Sequence, residues 1–230
     1  MLTTIKLNEV FEDLEVLSSL SLRERKEIEK HLYYRKYKKG QMLFIEGDPR
    51  EKLYCILSGY VKTEKVNMNV TTRFNSFLKP TTFFPYIGLF SNDYYKYSAE
   101  AFTDLEVLYI PTLYAEELFK KDKHILLQIV KCVTKKIEML EHRLQTVTDS
   151  HAKNRVTQFL GYLVEDLGEI EEEILLIPCP ITTLEVAKFT GTSRETVSHV
   201  LNDLKKDGRL AVTNKHFIIK DPSYFLAAIL

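Results

Sequence analysis

Residues 181–220 read ITTLEVAKFTGTSRETVSHVLNDLKKDGRLAVTNKHFIIK. Thr182 followed three residues later by Glu185 is a capping box, the start signal of a helix. Leu184, Val186, Ala187 and Phe189 supply its apolar residues. Thr190-Gly191-Thr192 interrupts it, and Gly191 suits the left-handed backbone of a tight turn. Ser193 caps a second helix with Val197, Val200, Leu201 and Leu204 on one face. Two short helices joined by a short Gly turn form a helix-turn-helix. Gly208 stops the second helix, and Leu210, Val212, Phe217 and Ile219 alternate about a polar turn at Asn214-Lys215. This predicts a hairpin, hence a winged helix-turn-helix.

The outward residues at the start of the second helix are Arg194, Glu195, Ser198 and His199. Arginine can fork onto the edge of guanine, and a carboxylate can accept from the amino group of cytosine. The same spacing would also serve an ordinary helical hairpin with a solvated charged face. The octapeptide Gly191-Thr192-Ser193-Arg194-Glu195-Thr196-Val197-Ser198 decides between them. It closely resembles the recognition-helix signature of the cyclic-AMP receptor protein / fumarate–nitrate reductase regulator family. The capping box before it and the wing after it stand where that family has them.

That resemblance implies an α+β chain with an N-terminal β-roll of cyclic-nucleotide-binding type, a long dimerisation helix and a C-terminal winged helix-turn-helix. Its expected divisions are residues 1–121, 122–149 and 150–230. Carried over position by position, Arg194 forks onto a guanine and Glu195 accepts from a cytosine. Ser193 and Thr182 would hold phosphates, with Lys215 on the wing as another, and Thr192, Ser198 and His199 complete the DNA-binding set. His199 stands where many relatives carry a second arginine, and imidazole cannot fork. The implied half-site is of TGTGA type, inverted.

The rest of the chain agrees. At 230 residues and 45% hydrophobic, it suits two modest domains. Net charge is zero, so attraction to a polyanion must be local. The stretch from Lys188 to Lys220 leans basic, while Glu169 and Glu171-Glu172-Glu173 read as a solvated acidic loop. The three scattered cysteines suit a reduced, cytoplasmic protein, and no apolar run approaches membrane-spanning length. No Gly-rich phosphate loop, metal cluster or catalytic triad pattern points to an enzyme, and no cofactor or metal is expected.

Ser21 and Glu24 form another capping box, with helix expected to about Leu32. From Tyr33 to Ile110, short aromatic and β-branched runs cut by turns read as a sandwich or barrel. A short helix follows near Tyr114–Phe119, and a long one begins near Asp122. The seam of the long helix is Leu126, Ile129, Val133, Ile137, Leu140, Leu144 and Val147, a coiled-coil-like stripe with one stutter near Ile137. It can pack on its own β-roll, or, as in the family, on a second copy. Thr148-Asp149-Ser150 reads as a hinge, Ala152–Leu167 as an amphipathic helix and Asp221-Pro222 as the start of a terminal one.

Cyclic-nucleotide members of the family carry a Gly-Glu pair for the ribose and an Arg-Ser pair for the phosphate. Here Pro85 and Tyr86 replace the first pair, and Tyr97 precedes Ser98 in the second. Without its guanidinium a buried phosphate loses charge and two hydrogen bonds. Leu140 stands where the long helix would meet the base. Tight cyclic-AMP binding is therefore not expected, and no other effector is indicated. Phe83, Phe84, Tyr86, Tyr97 and Phe102 are expected to fill the former pocket or to line an apolar one. Cys55 reads as packing rather than redox chemistry.

The Phe-Phe-Pro segment, the missing phosphate site and His199 resemble a narrower branch, the Gram-positive regulators of the arginine deiminase pathway. The expected function is a homodimeric regulator on palindromic double-stranded DNA, with RNA polymerase as a further partner if it activates. The rival is a sensory or interaction module whose β-roll binds a small ligand or a protein.

Overall fold

The computed structural model describes residues 11–12, 14, 16–18, 20–66, 73–146, 151–213 and 216–229. The chain divides into two compact units, the first ending at Lys136 and the second running on from Ile137.

The first unit opens on helix α1 (Leu22–Glu29). Its capping box is formed: the Ser21 N–H donates to Glu24 Oε2 at 2.8 Å and the Glu24 N–H to Ser21 Oγ at 3.4 Å. Eight strands follow: β1 (Tyr33–Tyr37), β2 (Met42–Phe44), β3 (Lys52–Ser58), β4 (Val61–Val66), β5 (Arg73–Leu78), β6 (Phe83–Phe84), β7 (Ser98–Ala101) and β8 (Leu105–Pro111). They form two four-stranded sheets, β1-β8-β3-β6 and β2-β7-β4-β5.

The first sheet is covered on both faces, and the period-2 alternation of its strands shows how. Leu53, Cys55, Phe83, Leu108 and Ile110 share one cluster with Ile28, Phe119, Ile125 and Ile129 from the helices. Tyr54, Ile56, Phe84, Leu105 and Val107 belong to the other cluster, with Tyr37, Phe44, Tyr95 and Ala99. This double burial explains the unbroken apolar run Leu53–Leu57.

Helix α2 (Thr112–Lys121) leads into helix α3 (Lys123–Thr146). Asp122 Oδ1 accepts from the N–H groups of His124 (2.7 Å) and Ile125 (3.2 Å), which caps the second helix. A buried polar knot ties α2 to the segment between β6 and β7. Arg50 Nη2 donates to Glu116 Oε1 at 2.5 Å and Arg50 Nε to the Asn92 carbonyl at 2.9 Å. The Phe90 N–H shares the same Glu116 oxygen at 2.9 Å.

The second unit holds α4 (Ala152–Leu167), β9 (Glu169–Glu171), β10 (Ile174–Ile177), α5 (Thr183–Thr190), α6 (Arg194–Lys206), β11 (Leu210–Val212), β12 (Phe217–Ile219) and α7 (Pro222–Ala227). Val156, Phe159, Leu160, Leu163 and Val164 of α4 are buried, as their spacing predicts. A Cβ on Gly161 would lie 2.4 Å from the Phe225 carbonyl oxygen, so the residue is a glycine because α4 and α7 meet there backbone to backbone. Arg209 pairs with Asp221, and its guanidinium lies 4.6 Å from the Tyr224 ring centroid.

One expectation fails in this unit. The acidic run is not a loop: Glu169–Glu171 pairs with β10, and Glu172 and Glu173 make the turn with φ of 46° and 66°. Two left-handed residues are what a two-residue hairpin requires. The wing is accordingly part of a four-stranded sheet of order β11-β12-β10-β9. The expected hinge at Thr148-Asp149-Ser150 falls outside the described residues.

Candidate nucleic-acid interface

The helix-turn-helix is set by local hydrogen bonds. The Glu185 N–H donates to Thr182 Oγ1 at 3.2 Å, which caps α5. Glu185 Oε1 pairs with Lys188 Nζ at 3.5 Å, so this cap is the single bond and not the reciprocal box expected. Gly191 follows in the left-handed region, φ 59° and ψ 39°. The Thr196 N–H then donates to Ser193 Oγ at 3.1 Å, which caps α6. Arg155 on α4 donates from Nε to the Thr190 carbonyl at 2.8 Å, satisfying an orphan oxygen at the end of α5. Val197, Val200, Leu201 and Leu204 are buried and fix the rotation of α6.

That rotation leaves Arg194, Glu195 and His199 exposed and Ser198 half-exposed, together with Asn202, around one shallow concavity. Arg194 Nε donates to Thr183 Oγ1 at 3.3 Å, which engages one nitrogen of the guanidinium and not its two terminal ones. Ser198 donates its hydroxyl proton to the Arg194 carbonyl at 2.9 Å, so only its lone pairs remain to meet a base. Hydrogen bonds from its own backbone N–H and from the Ser193 hydroxyl hold the Glu195 carboxyl below its ordinary range. It is thus a ready acceptor. Thr182 and Ser193 stand at the two helix starts with Thr192 in the turn between them, and Lys215 lies outside the described residues. Sequence reasoning overlooked two residues here. Asn202 sits one turn beyond Ser198 and could have been found by spacing, whereas Thr183 meets Arg194 across two helices.

The expected effector pocket is only partly assembled. Phe84 and Tyr97 do face the interior of the β-roll, where Phe44 and Tyr95 stack at 3.8 Å and Phe44 lies 5.6 Å from Tyr97. Tyr54 completes the group 5.5 Å from Phe84. Burial pushes the Tyr97 phenol above its ordinary range. Phe83 and Tyr86 lie 5.9 Å apart in the helical cluster instead, and Phe102 packs on Phe77 at 4.9 Å. Phe83 differs from expectation because it and Phe84 are neighbours in one strand and point to opposite faces. Pro85 is buried, and Ser98 Oγ accepts from the Glu46 N–H at 2.9 Å. Ser98 therefore keeps its hydroxyl proton, but the residue beside it is a tyrosine and not a guanidinium. Cys55 is buried, and burial pushes its thiol up to about 12.

Along α3, Ile125, Ile129 and Cys132 are buried in the helical cluster, with Leu126 and Val133 at its edge. Ile129 is only 6% exposed, whereas Val130 is 59% exposed, Ile137 51% and Leu140 39%. Val130, Ile137 and Leu140 are therefore open, and with half-buried Val133 between them they form a stripe with steps of three, four and three. Exchanging Ile129 for Val130 removes the stutter. The Leu144 side chain and Val147 lie outside the described residues. No described helix is long and apolar enough to cross a membrane.

Comparison with known proteins adds the following. Residues 34–122 match the cyclic nucleotide-binding domain, and residues 154–227 match the Crp-like helix-turn-helix domain. The HTH-type transcriptional regulator ArcR of Staphylococcus epidermidis is 28% identical over 188 residues, 81% of this chain and 82% of that one. The global nitrogen regulator of Synechocystis sp. is 25% identical over 81% of this chain and 84% of its own. The structure of FixK2 from Bradyrhizobium japonicum superposes with a TM-score of 0.73 at 20% identity, over 86% of this chain and 96% of that one. With both domains matched in the expected order, the chain belongs to the cyclic-AMP receptor protein / fumarate–nitrate reductase regulator family of DNA-binding transcription regulators.

Proposed function

We propose that the protein acts as a homodimer that reads an inverted repeat with TGTGA-type half-sites and needs no cyclic nucleotide to do so. The observation that carries this reading is the outward face of α6. Two caps and an apolar underside hold it in place, and it offers a guanidinium and an ionised carboxylate side by side. The stripe on α3 supports the dimer, since exposed Val130, Ile137 and Leu140, with half-buried Val133 between them, keep the heptad spacing that a partner helix would cover. A twofold pair would place two such helices one duplex turn apart. The narrower resemblance to regulators of the arginine deiminase pathway supplies the candidate target genes.

Selection of bound duplexes from a random pool tests the reading, since a regulator enriches an inverted repeat and an interaction module enriches none. Replacing Arg194 with alanine is expected to cost about 1–3 kcal/mol on the selected site and to relax choice at one base pair per half-site. An equal loss on every sequence would reduce Arg194 to a phosphate contact. Calorimetry with cyclic AMP is expected to show no binding at micromolar concentrations, because Phe44, Phe84, Tyr95 and Tyr97 fill the roll. Micromolar affinity would show that the aromatic interior opens.

A further inference from the structure

We propose that Asn202 is a third base-reading side chain, which adds an adenine to the half-site read by Arg194 and Glu195. The proposal rests on the DNA-binding reading above. An α-helix turns about 100° per residue. With Arg194 taken as zero, Ser198, Glu195 and His199 fall at about 40°, 100° and 140°, and Asn202 at about 80°, in the middle of the face. Side chains on a helix lean toward its N-terminus. The Asn202 amide therefore lies over the turn that carries Ser198 and His199, which is why all five residues line one concavity.

What distinguishes Asn202 is that its chemistry is unspent. Arg194 Nε is held by Thr183, the Ser198 proton by the Arg194 carbonyl, and the Glu195 carboxylate by Ser193. Asn202 is exposed, and its side chain makes no hydrogen bond among the described residues. A carboxamide presents one donor and one acceptor side by side, which matches N6 and N7 of adenine in the major groove. An imidazole offers no such pair, so Asn202 supplies the two-point contact that His199 cannot. Eight residues at 1.5 Å per residue place it about 12 Å along the axis from Arg194. For a helix lying along the groove, that is about three to four base pairs from the guanine at 3.4 Å per step.

The test is selection of bound duplexes from a random pool by the full-length wild type, Asn202→Ala and Asn202→Asp, followed by titration on the wild-type consensus. Asn202 is exposed on a helix, so alanine there leaves the fold intact. Asn202→Ala is expected to lose the adenine preference at one position per half-site, keep the others, and bind the consensus about 5- to 150-fold more weakly. Asn202→Asp, which can only accept, is expected to shift that position toward cytosine. Coincident wild-type and alanine profiles would overturn the assignment. So would a uniform loss on all sequences with a shallower salt dependence, which marks a phosphate contact. A wild-type pool with no inverted repeat would overturn the DNA-reading function itself, a result separate from either.

Discussion

Replacing Arg50 with alanine is expected to destabilise the β-roll unit by about 3–5 kcal/mol. The Arg50 side chain is 3% exposed and that of Glu116 12%. Removing the guanidinium strands a carboxylate in the interior and leaves the Asn92 carbonyl without its donor. A buried pair is costly to break from one side and cheap to replace whole, because removing both charges removes the desolvation penalty along with the attraction. The double variant Arg50→Met/Glu116→Leu is therefore expected to recover a large part of the loss. Urea unfolding followed by circular dichroism reads both variants, since the chain has no tryptophan. Equal destabilisation of the single and double variants would assign the effect to lost packing.

Ile137→Glu is expected to convert the proposed dimer to a monomer and to abolish tight binding to the proposed inverted repeat. Placed on the twofold stripe, the two glutamates would face each other, at a cost on the order of several kcal/mol. Lys131→Glu provides the control, because residue 131 lies on the opposite side of α3 from the stripe and is exposed. Sedimentation velocity reads the mass, and titration on whole and half sites reads the linkage. A dimer that survives Ile137→Glu would place the contact elsewhere.

The parts of this molecule that could be read directly are those decided within a few residues. Thr182, Gly191 and Ser193 act through hydrogen bonds and dihedrals inside their own turns, and each does what its position predicts. The Glu172-Glu173 turn escaped because two glutamates give no glycine or asparagine signal, and because a strand as short as β9 has no period to detect. Choosing Ile129 over Val130 for the seam was a matter of one residue's rotation, and only the cluster beneath the helix decides it. The aromatic interior was legible only in part. Phe84 and Tyr97 are expected there from the sequence, but Phe44, Tyr54 and Tyr95 join them from strands and loops that no spacing links to the pocket.

Because β12 is hydrogen-bonded to β11 on one side and β10 on the other, the wing strands are ordered before any DNA arrives. A segment that folds upon docking shows a large negative heat-capacity change from the surface it buries in ordering. Here that ordering is already complete in the free protein, so these strands add little to the heat-capacity change. The heat-capacity change of DNA binding should therefore come chiefly from the surface dehydrated at the groove.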